Sequence, residues 1–309
     1  MTVIPQPSNE SATPLRRRDS TRESSIDQPL ALAAVSVNPS VLGRPPALAE
    51  GPAPNTTTHA PNPSTDTDPA INLYEVSVVM PCLNEVRTLA GCIRQARAAL
   101  EAGNLHGEII VADNGSTDGS VELALSEGAK VVHVARRGYG SALQGGFAAA
   151  RGEYIFMADA DGSYDFGEIP RFVAKLREGY DLVMGNRFAG EIKPGAMPWH
   201  HRYIGNPVLS GIGRMLFRPD CRDFHCGLRM FNRKRFRSLN LLSTGMEFAS
   251  ELVVIAALRK FLISELSITL SPDGRKGRSH LRSFRDGMRH IMLMGKHFLK
   301  ITNEGMPNQ

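Results

Sequence analysis

Tyr154-Ile-Phe-Met-Ala-Asp-Ala-Asp161 is a short apolar run that ends at two carboxylates. The apolar part predicts a buried strand, and the spacing of Asp159 and Asp161 puts both side chains on one face of an extended chain. Crowded carboxylates repel one another unless a cation lies between them, and a divalent ion with oxygen ligands meets that need. Gly162 permits a sharp turn directly afterwards. The alternative is a strand followed by an acidic turn, and the rest of the chain decides between the two.

Apolar runs alternate with helically spaced segments on both sides of this stretch. The alternation predicts an α/β fold with a mostly parallel central sheet and helices on both faces. Such sheets bind ligands at the carboxyl ends of their strands, and every polar cluster of this sequence follows a predicted strand. Besides the run that ends at the aspartates, strands are predicted at 76–80, 108–112, 130–134, 181–184, 228–231 and 266–270, and helices at 85–102, 138–151, 168–178, 203–217 and 245–259.

Composition divides the chain into three parts. Residues 1–72 are rich in proline, serine and threonine and contain no aromatic residue, which predicts a disordered tail. The whole chain of 309 residues is 42% hydrophobic, enough for a sizeable core, and we expect one catalytic domain over 73–281. Residues 282–309 form a separate C-terminal segment.

Charge limits the possible binding partners, and cysteine usage limits the possible cellular compartment. The net charge of +5 permits acidic partners such as nucleic acid, anionic lipid or a phosphorylated substrate. Cys82, Cys92, Cys221 and Cys226 form no C-x-x-C pair, and no secretory signal is visible, which predicts reduced thiols in the cytoplasm. Zinc bound by Cys221, His225 and Cys226 is disfavoured, because the spacing matches no common zinc motif. No segment reaches the roughly 20 apolar residues that span a bilayer.

The C-terminal segment is basic and amphipathic. Basic residues concentrate between Arg275 and Lys300, and Ile291, Met294 and Phe298 fall among them at helical spacing. This pattern predicts a helix that docks peripherally on an anionic membrane surface. The alternative is a helix packed on the domain with its apolar face already buried.

A Rossmann dehydrogenase is the first functional alternative. That class expects G-x-G-x-x-G directly after the first strand. Here Pro81-Cys-Leu-Asn-Glu85 follows the first strand, and Gly138-Tyr-Gly140 comes only after the third. The carboxylate cluster has no role in hydride transfer, so we set this class aside.

A nucleotide-sugar enzyme explains more of the polar residues. Glu85 and Asp113 follow the first two strands, where carboxylates accept hydrogen bonds from ribose hydroxyls and base N–H groups. Asp159 and Asp161 can hold Mg²⁺ or Mn²⁺ against a diphosphate, and the metal offsets charge on the leaving nucleoside diphosphate. Singly, Glu85 is explained as a charge at a helix N-terminus, Asp113 as a turn residue and Ser116 as the cap of the next helix. Four carboxylates at successive strand ends favour a site.

Three segments carry a family resemblance: Ser77-Val-Val-Met-Pro-Cys-Leu-Asn-Glu85, Val111-Ala-Asp-Asn-Gly-Ser-Thr-Asp-Gly119 and Asp159-Ala-Asp161. They resemble the inverting family-two glycosyltransferases of the GT-A fold. Within that family, the polyprenyl-phosphate hexose synthases of the dolichol-phosphate mannosyltransferase type are the most similar subgroup. The resemblance extends from about Tyr74 to Leu281.

On the donor side, the resemblance implies a role for each matched position. Asp159 touches ribose or metal, and Asp161 coordinates the metal beside the diphosphate. Family members often carry glutamine two residues after the second aspartate as a further metal ligand, and this position is Ser163 here, a weaker ligand. The implied donor-binding residues are Pro81, Asn84, Glu85, Asp113, Asn114, Ser116 and Gly140.

On the acceptor side, the resemblance implies a cluster of cations. Gly185-Asn-Arg187 resembles a Gly-Ser-Arg stretch near the acceptor phosphate, and the segment from Asp223 to Arg229 resembles an Asp-x-x-x-Gly-Phe-Arg motif. Gly274-Arg-Lys-Gly-Arg-Ser-His280 resembles Arg-x-x-Gly-x-Ser-Lys with its arginine displaced by one. A lipid phosphate is already anionic and needs cations more than a base, whereas a sugar hydroxyl needs a general base, for which Asp223 is the candidate. The predicted phosphate-binding cations are Arg187, Arg229, Arg275 and Arg278.

Three functional hypotheses follow. The first is a metal-dependent transferase that moves a hexose from a nucleotide sugar of the UDP-glucose or GDP-mannose type to a polyprenyl phosphate, at the cytoplasmic face of a membrane. The second is a family-two enzyme with a soluble or carbohydrate acceptor, which the lack of a spanning segment favours. The third is a non-catalytic nucleotide-sugar or nucleic-acid binding protein. No RNA- or DNA-reading motif is visible, so no nucleic-acid partner is expected.

Overall fold

The computed structural model of the protein describes residues 74–275 and 283–304. The predicted tail over 1–72 and the predicted cation Arg278 lie outside the described residues. The strands are β1 (Tyr74–Cys82), β2 (Gly107–Asp113), β3 (Lys130–His133), β4 (Gly152–Met157), β5 (Leu182–Ile192), β6 (Arg229–Asn232) and β7 (Ile263–Leu270). The α-helices are α1 (Leu89–Ala102), α2 (Ser120–Ser126), α3 (Tyr139–Ala149), α4 (Ile169–Arg177), α5 (Asn206–Phe217), α6 (Arg233–Arg237), α7 (Phe248–Leu258) and α8 (Ser283–Glu304).

The seven strands form one sheet in the order β3-β2-β1-β4-β6-β5-β7. Only β6 runs antiparallel to its neighbours, β4 and β5, and the other pairs are parallel. Along β1, Val78 and Met80 enter one hydrophobic core and Val79 enters the other. Because successive side chains of a strand alternate between faces, the sheet is buried on both sides. The predicted α/β fold with a mostly parallel sheet is confirmed.

The strand register positions the predicted site. Cys82 at the end of β1 lies beside Asp113 at the end of β2, and Val79 lies beside Met157 at the end of β4. The carboxyl ends of these three parallel strands therefore meet at one edge of the sheet. The loops that carry Glu85, Asp113 and Asp159 all leave from this edge.

The predicted starts of the first two helices are wrong. The first helix begins at Leu89 instead of residue 85, because Asn84 adopts a left-handed conformation with φ 59° and a turn follows it. Glu85 therefore lies before the helix. Ser116 does not cap the second helix, which begins at Ser120 after Gly119. The Ser116 hydroxyl instead accepts a hydrogen bond from the Asn84 N–H at 3.0 Å.

The fifth strand is longer than its apolar run. The sequence predicts strand only to residue 184, but β5 continues to Ile192 and keeps pairing with β7 across an irregularity between Asn186 and Glu191. The added part mixes buried polar residues, Asn186 and Arg187, with an exposed stretch over 188–191, so it has no continuous apolar run to signal a strand.

The C-terminal helix α8 packs on the domain through one face only. Asp286, His290 and Met294 are buried, so Met294 does not belong to the exposed apolar face that the sequence predicts. Apolar side chains nevertheless remain exposed on the opposite face, at Met288, Ile291, Met292, Phe298 and Leu299. Among the helices within 74–275 and 283–304, none combines the length and the apolar character needed to cross a membrane.

Candidate active site

Asp113 is a buried acceptor at the end of β2. Its carboxylate accepts hydrogen bonds from the N–H groups of Gly115 and Ser116, and the His133 ring lies 3.3 Å away. Burial raises the pKa of Asp113, but the hydrogen bonds from Ser116, Gly115 and His133 outweigh it and lower the pKa below its ordinary value. The carboxylate is thus ionised and suited to accept a base N–H. The sequence analysis did not identify His133 as a site residue, because a single histidine at the end of the short strand β3 forms no motif.

Other predicted donor-binding residues tie the loops together. Asn84 accepts a hydrogen bond from Thr117 N–H, which joins the loop after β1 to the loop after β2. The Asn114 amide donates to the carbonyls of Val134 and Arg136 and accepts from Gly138 N–H. Both N–H groups of the buried Asn114 amide and its carbonyl oxygen are therefore engaged by other residues of the protein. Asn114 therefore positions the loops, and its predicted contact with the donor does not fit this geometry.

Gly140, near the start of α3, is buried. A Cβ at this position would lie 2.4 Å from the Ser243 carbonyl oxygen and 2.9 Å from the Phe248 Cβ. The glycine allows the start of α3 to pack closely under the segment before α7. This close packing explains the glycine, and its predicted donor contact stays a prediction. Pro81, in contrast, is half-buried at the end of β1, beside Ala112.

The paired aspartates follow β4 and receive hydrogen bonds from neighbouring side chains. The Tyr139 hydroxyl donates to Asp159 Oδ1 at 3.0 Å. Ser163 donates to Asp161 Oδ1 from its hydroxyl at 2.6 Å and from its N–H at 3.0 Å. Ser163 thus orients the Asp161 carboxylate, and its role as a metal ligand stays a prediction. Tyr139 was missed, although it lies within the Gly138-Tyr-Gly140 segment.

Arg275 lies between two of the predicted carboxylates. Its Nε donates to Glu85 Oε2 at 3.0 Å, and its Nη2 lies 3.3 Å from Asp161 Oδ2. Glu85, from the loop after β1, and Asp161, after β4, are therefore brought together around one guanidinium. Arg275 was predicted to bind the acceptor phosphate, but here it is the counter-ion of Glu85 and Asp161, two carboxylates predicted on the donor side.

These residues fit a divalent cation. Burial, together with the charge of Asp161, raises the pKa of Asp159 to about 6, against the hydrogen bond from Tyr139 and the charge of Arg275. Three carboxylates around one arginine leave an excess of negative charge that a divalent ion would neutralise. Over 74–275 and 283–304, no group of three His, Cys, Asp or Glu side chains forms a metal cage. Oxygens of a diphosphate or water would have to complete the ligand shell.

The raised pKa of Asp159 predicts a pH-dependent stability effect. The folded protein binds the Asp159 proton more tightly than the unfolded chain does, so stability present at about pH 4 is lost as the pH rises through about 6. Asp159→Asn avoids this loss. We expect the variant to have a free energy of unfolding about 1–2 kcal/mol higher than the parent at pH 8 in EDTA, after solvent screening, and a smaller difference at pH 5. Its unfolding temperature at pH 8 should rise accordingly. Thermal unfolding at both pH values measures it, and a variant less stable than the parent at pH 8 contradicts it.

Arg187 on β5 and Asp223, in the loop before β6, form a buried pair. Arg187 donates from Nε to Asp223 Oδ2 at 2.8 Å, from Nη2 to Oδ1 at 2.7 Å and from its backbone N–H to Oδ2 at 3.1 Å. Burial lowers the pKa of Arg187, but the charge of Asp223 outweighs it and keeps that pKa raised. Both carboxylate oxygens of Asp223 are engaged, and the side chain is fully buried. The predicted role of Asp223 as general base does not fit this arrangement.

Arg229 is a structural residue. It is fully buried and donates to the carbonyls of Cys226, Ala249 and Phe224 at 2.7–2.9 Å. A guanidinium held by three carbonyls inside the core has no surface for a phosphate, so its predicted acceptor role does not fit. The sequence motif does not distinguish an arginine that faces a ligand from one that organises the loop.

Three further residues support the loop that carries Asp223. Glu265 on β7 accepts from the N–H groups of Arg222 and Asp223 and from the Asn186 amide, at 2.7–2.9 Å. The Tyr164 hydroxyl accepts from Gly227 N–H at 2.8 Å. A Cβ on Gly227 would lie 2.7 Å from Asp159 Oδ2, so the close approach of this loop to the aspartates requires glycine. In the sequence, Glu265 could have been recognised as a charged residue within the otherwise mostly apolar strand β7.

Within 74–275 and 283–304, the cysteines join no group of three His, Cys, Asp or Glu side chains that could hold a metal ion. All four are buried and unpaired. Cys221 donates to Glu265 at 3.4 Å, and burial raises the pKa values of the Cys221 and Cys226 thiols.

The mostly parallel seven-stranded sheet, with carboxylates at adjacent strand ends, has the architecture of the GT-A class of α/β fold. Residues 77–239 match the model of glycosyl transferase family 2, and the chain belongs to that family.

Curated relatives and solved structures agree. The chain is 43% identical to the low-salt glycan biosynthesis hexosyltransferase Agl6 of Haloferax volcanii over 75% of its length, but spans only 55% of that protein. It is 33% identical to glycosyltransferase AglJ of the same organism, over 69% of this chain and 68% of that one. Glucosyl-3-phosphoglycerate synthase from Mycobacterium tuberculosis with UDP aligns at a TM-score of 0.59 and 22% identity, over 78% of this chain and 83% of that one. The same synthase with Mn²⁺ and UDP-glucose aligns at a TM-score of 0.57 and 22% identity, over 78% of this chain and 82% of that one. At this identity, the likeness to the synthase establishes the fold.

Proposed function

We propose that this chain is a metal-dependent, inverting hexosyltransferase that uses a nucleotide sugar of the UDP-glucose or GDP-mannose type and a polyprenyl phosphate acceptor. Family membership supports the reaction class, and the name of Agl6 supports a hexose. Residues 73–281 would form the catalytic domain. The observation that carries the choice of acceptor is the buried pair of Arg187 and Asp223.

The strand-end carboxylates would hold the donor. Asp113 is ionised and would accept an N–H of the base, and Glu85 would accept ribose hydroxyls. Asp159 and Asp161 would hold Mg²⁺ or Mn²⁺ beside the diphosphate. When bound, the divalent ion offsets the charge that develops on the leaving nucleoside diphosphate. Arg275 would leave its place between Glu85 and Asp161 as the cation and diphosphate enter.

The arginine–aspartate pair favours an acceptor that needs no base. Because Arg187 engages both oxygens of Asp223, the candidate base is not positioned to take a proton from a hydroxyl. A phosphate monoester is already anionic. Its oxygen would attack the anomeric carbon while the bond from that carbon to the diphosphate oxygen breaks, and the configuration at the carbon inverts. Arg187, held by Asp223, would help to place the phosphate.

A second candidate is a small soluble acceptor that carries a phosphate. The synthase that shares this fold has been solved with phosphoglyceric acid. The same arginines would suit a soluble phosphate and a lipid phosphate, so the acceptor must be tested directly.

Docking on the cytoplasmic face of a membrane would give access to a lipid acceptor. The exposed apolar face of α8 carries Met288, Met292 and Leu299, with Arg285 and Lys296 on the same helix. A basic amphipathic helix of this kind can lie in the headgroup region. The C-terminal segment 282–309 would thus act as a peripheral anchor.

Radiolabelled sugar transfer tests this proposal. The full chain, with Mn²⁺, is supplied with UDP-glucose or GDP-mannose and with one acceptor at a time: a polyprenyl phosphate, the matching polyprenol, or 3-phosphoglycerate. We expect product only with the polyprenyl phosphate, because the polyprenol lacks the anionic nucleophile. Transfer to 3-phosphoglycerate alone would support the soluble candidate. Product from the polyprenol would reject the argument from the arginine–aspartate pair.

A further inference from the structure

The helix α5 exposes an apolar stripe. Val208, Gly211 and Met215 follow one another at i, i+3 and i+7, and all three are exposed, with 51% of Val208 and 72% of Met215 accessible. Ile204 extends the stripe into the π-helix His201–Gly205 that precedes α5. Trp199 lies just before this helix and is 67% exposed. Large exposed apolar side chains in one row mark an interaction surface.

The stripe lies in a segment without negative charge. No aspartate or glutamate occurs between Glu191 and Asp220, whereas Arg202, Arg214 and Arg218 all occur there. Arg214 and Arg218 border a shallow groove that Met215 also lines. The surface is therefore apolar along its centre and cationic at its edge, which complements an anionic partner.

The opposite face of α5 packs near the proposed acceptor site. Gly213 lies so close to Phe224 that a Cβ there would be 2.2 Å from the ring, and the Ser210 hydroxyl accepts from Phe224 N–H at 3.4 Å. Phe224 directly follows Asp223, the partner of Arg187. The exposed stripe is thus separated from this pair by roughly one helix diameter, about 10 Å.

We propose that the α5 surface, formed by Trp199, Tyr203, Ile204, Val208, Met215, Arg214 and Arg218, docks on an anionic lipid bilayer. Its apolar stripe would enter the headgroup region, its arginines would meet lipid phosphates, and Trp199 would sit at the interface, where tryptophan is enriched. A second copy of the chain is a poorer occupant, because a two-fold contact would bring the same cationic edges together.

This inference deepens the proposed function and rests on it for its purpose, namely delivery of a lipid-linked acceptor. It adds a surface separate from the exposed face of α8, although α5 and α8 pack against each other. Two neighbouring amphipathic helices would hold the enzyme more firmly than one. The α5 surface would also fix which end of the sheet faces the lipid.

The only tryptophan of the chain allows α5 to be tested separately from α8. Trp199 is that tryptophan, so its fluorescence reports on this surface alone. The full chain is mixed with phosphatidylcholine vesicles with and without phosphatidylglycerol, and with brominated analogues of both. We expect a blue shift and quenching by brominated lipid only with the anionic vesicles, and both effects weaken as salt rises.

Variants then assign the effect to the stripe and the arginines. Arg214→Gln combined with Arg218→Gln should weaken anionic-vesicle binding about 25-fold, or about fivefold per arginine. Val208→Glu combined with Met215→Glu should remove the blue shift. Leu125→Glu is the matched control, because Leu125 is 58% exposed on α2 and outside this surface. The control should bind like the parent.

The outcomes separate this inference from the proposed reaction. Co-sedimentation with anionic vesicles without any change in Trp199 emission would overturn it and leave α8 as the docking element. Equal shifts with neutral vesicles, or no binding to either vesicle, would also overturn it. A Trp199 shift without sugar transfer to polyprenyl phosphate would support the docking surface and reject the acceptor. Transfer to polyprenyl phosphate without vesicle binding would reject the docking surface alone.

Discussion

Asp161→Asn is expected to lower the turnover number of sugar transfer by roughly three orders of magnitude, since lost metal stabilisation costs several kcal/mol in the barrier. Asparagine keeps the size of the side chain and one oxygen that can accept from Ser163, so the local turn should persist. The charge that attracts both Arg275 and a divalent ion is lost. Initial rates with saturating donor, together with calorimetric Mn²⁺ titration, measure the two effects.

Asp165→Asn is the matched control for this prediction. Asp165 is exposed, and its Oδ1 accepts from Gly167 N–H at 2.8 Å, in the same kind of turn that Asp161 makes with Ser163 N–H. The control therefore removes a carboxylate that lies four residues from Asp161 and has a similar backbone environment. We expect its turnover to stay within a factor of about two of the parent, as for surface substitutions. Near-parental turnover of Asp161→Asn at saturating Mn²⁺ would show that Asp161 has no role in metal binding.

The sheet could be predicted because its signals are local. Apolar runs bounded by polar turns mark β1, β2 and β4 directly, and the parallel pairing follows from their alternation with helices. Helix starts could not be read in the same way. Asn84 takes a left-handed conformation because its side chain and backbone bind the next loop, and that loop is remote in sequence.

The site was predictable in its carboxylates and less so in its cations. Glu85, Asp159 and Asp161 follow predicted strand ends, and a parallel sheet brings such ends together. Arg187, Arg229 and Arg275 look equivalent in sequence, yet one pairs with Asp223, one is held by carbonyls and one bridges donor-side carboxylates. These differences depend on tertiary contacts between segments far apart in the chain.

The pair of Arg187 and Asp223 predicts the largest stability loss. Asp223→Ala would leave the Arg187 guanidinium buried without a counter-ion and its backbone N–H without its acceptor. Breaking a buried pair from one side costs about 3–5 kcal/mol, a large part of the stability of a domain. Urea unfolding at pH 7 measures this loss. Asp223→Asn keeps one acceptor oxygen, so we expect a smaller loss, and this variant remains measurable where the alanine variant does not fold.

An exposed pair of similar geometry is the control. Asp181 accepts from Arg235 at 2.8 and 3.2 Å and from the Leu262 backbone N–H at 3.0 Å, but the Arg235 side chain is 51% exposed. Asp181→Ala should therefore cost no more than about 1 kcal/mol for the lost ion pair, plus about 1 kcal/mol for the lost backbone bond. Adding Arg187→Met to Asp223→Ala should restore stability, because the uncompensated charge is then gone.

Kinetics on the Asp223→Asn variant distinguish an organising role from a catalytic base. If Asp223 holds Arg187 for the acceptor phosphate, the acceptor KM should rise while the turnover number changes less, the pattern of lost ground-state binding. A general base would show the reverse. Its loss would lower the turnover number by about 10²–10⁴ and leave the unfolding free energy close to that of the parent. That second pattern would return Asp223 to the role that the sequence suggested and would favour a hydroxyl acceptor over a phosphate.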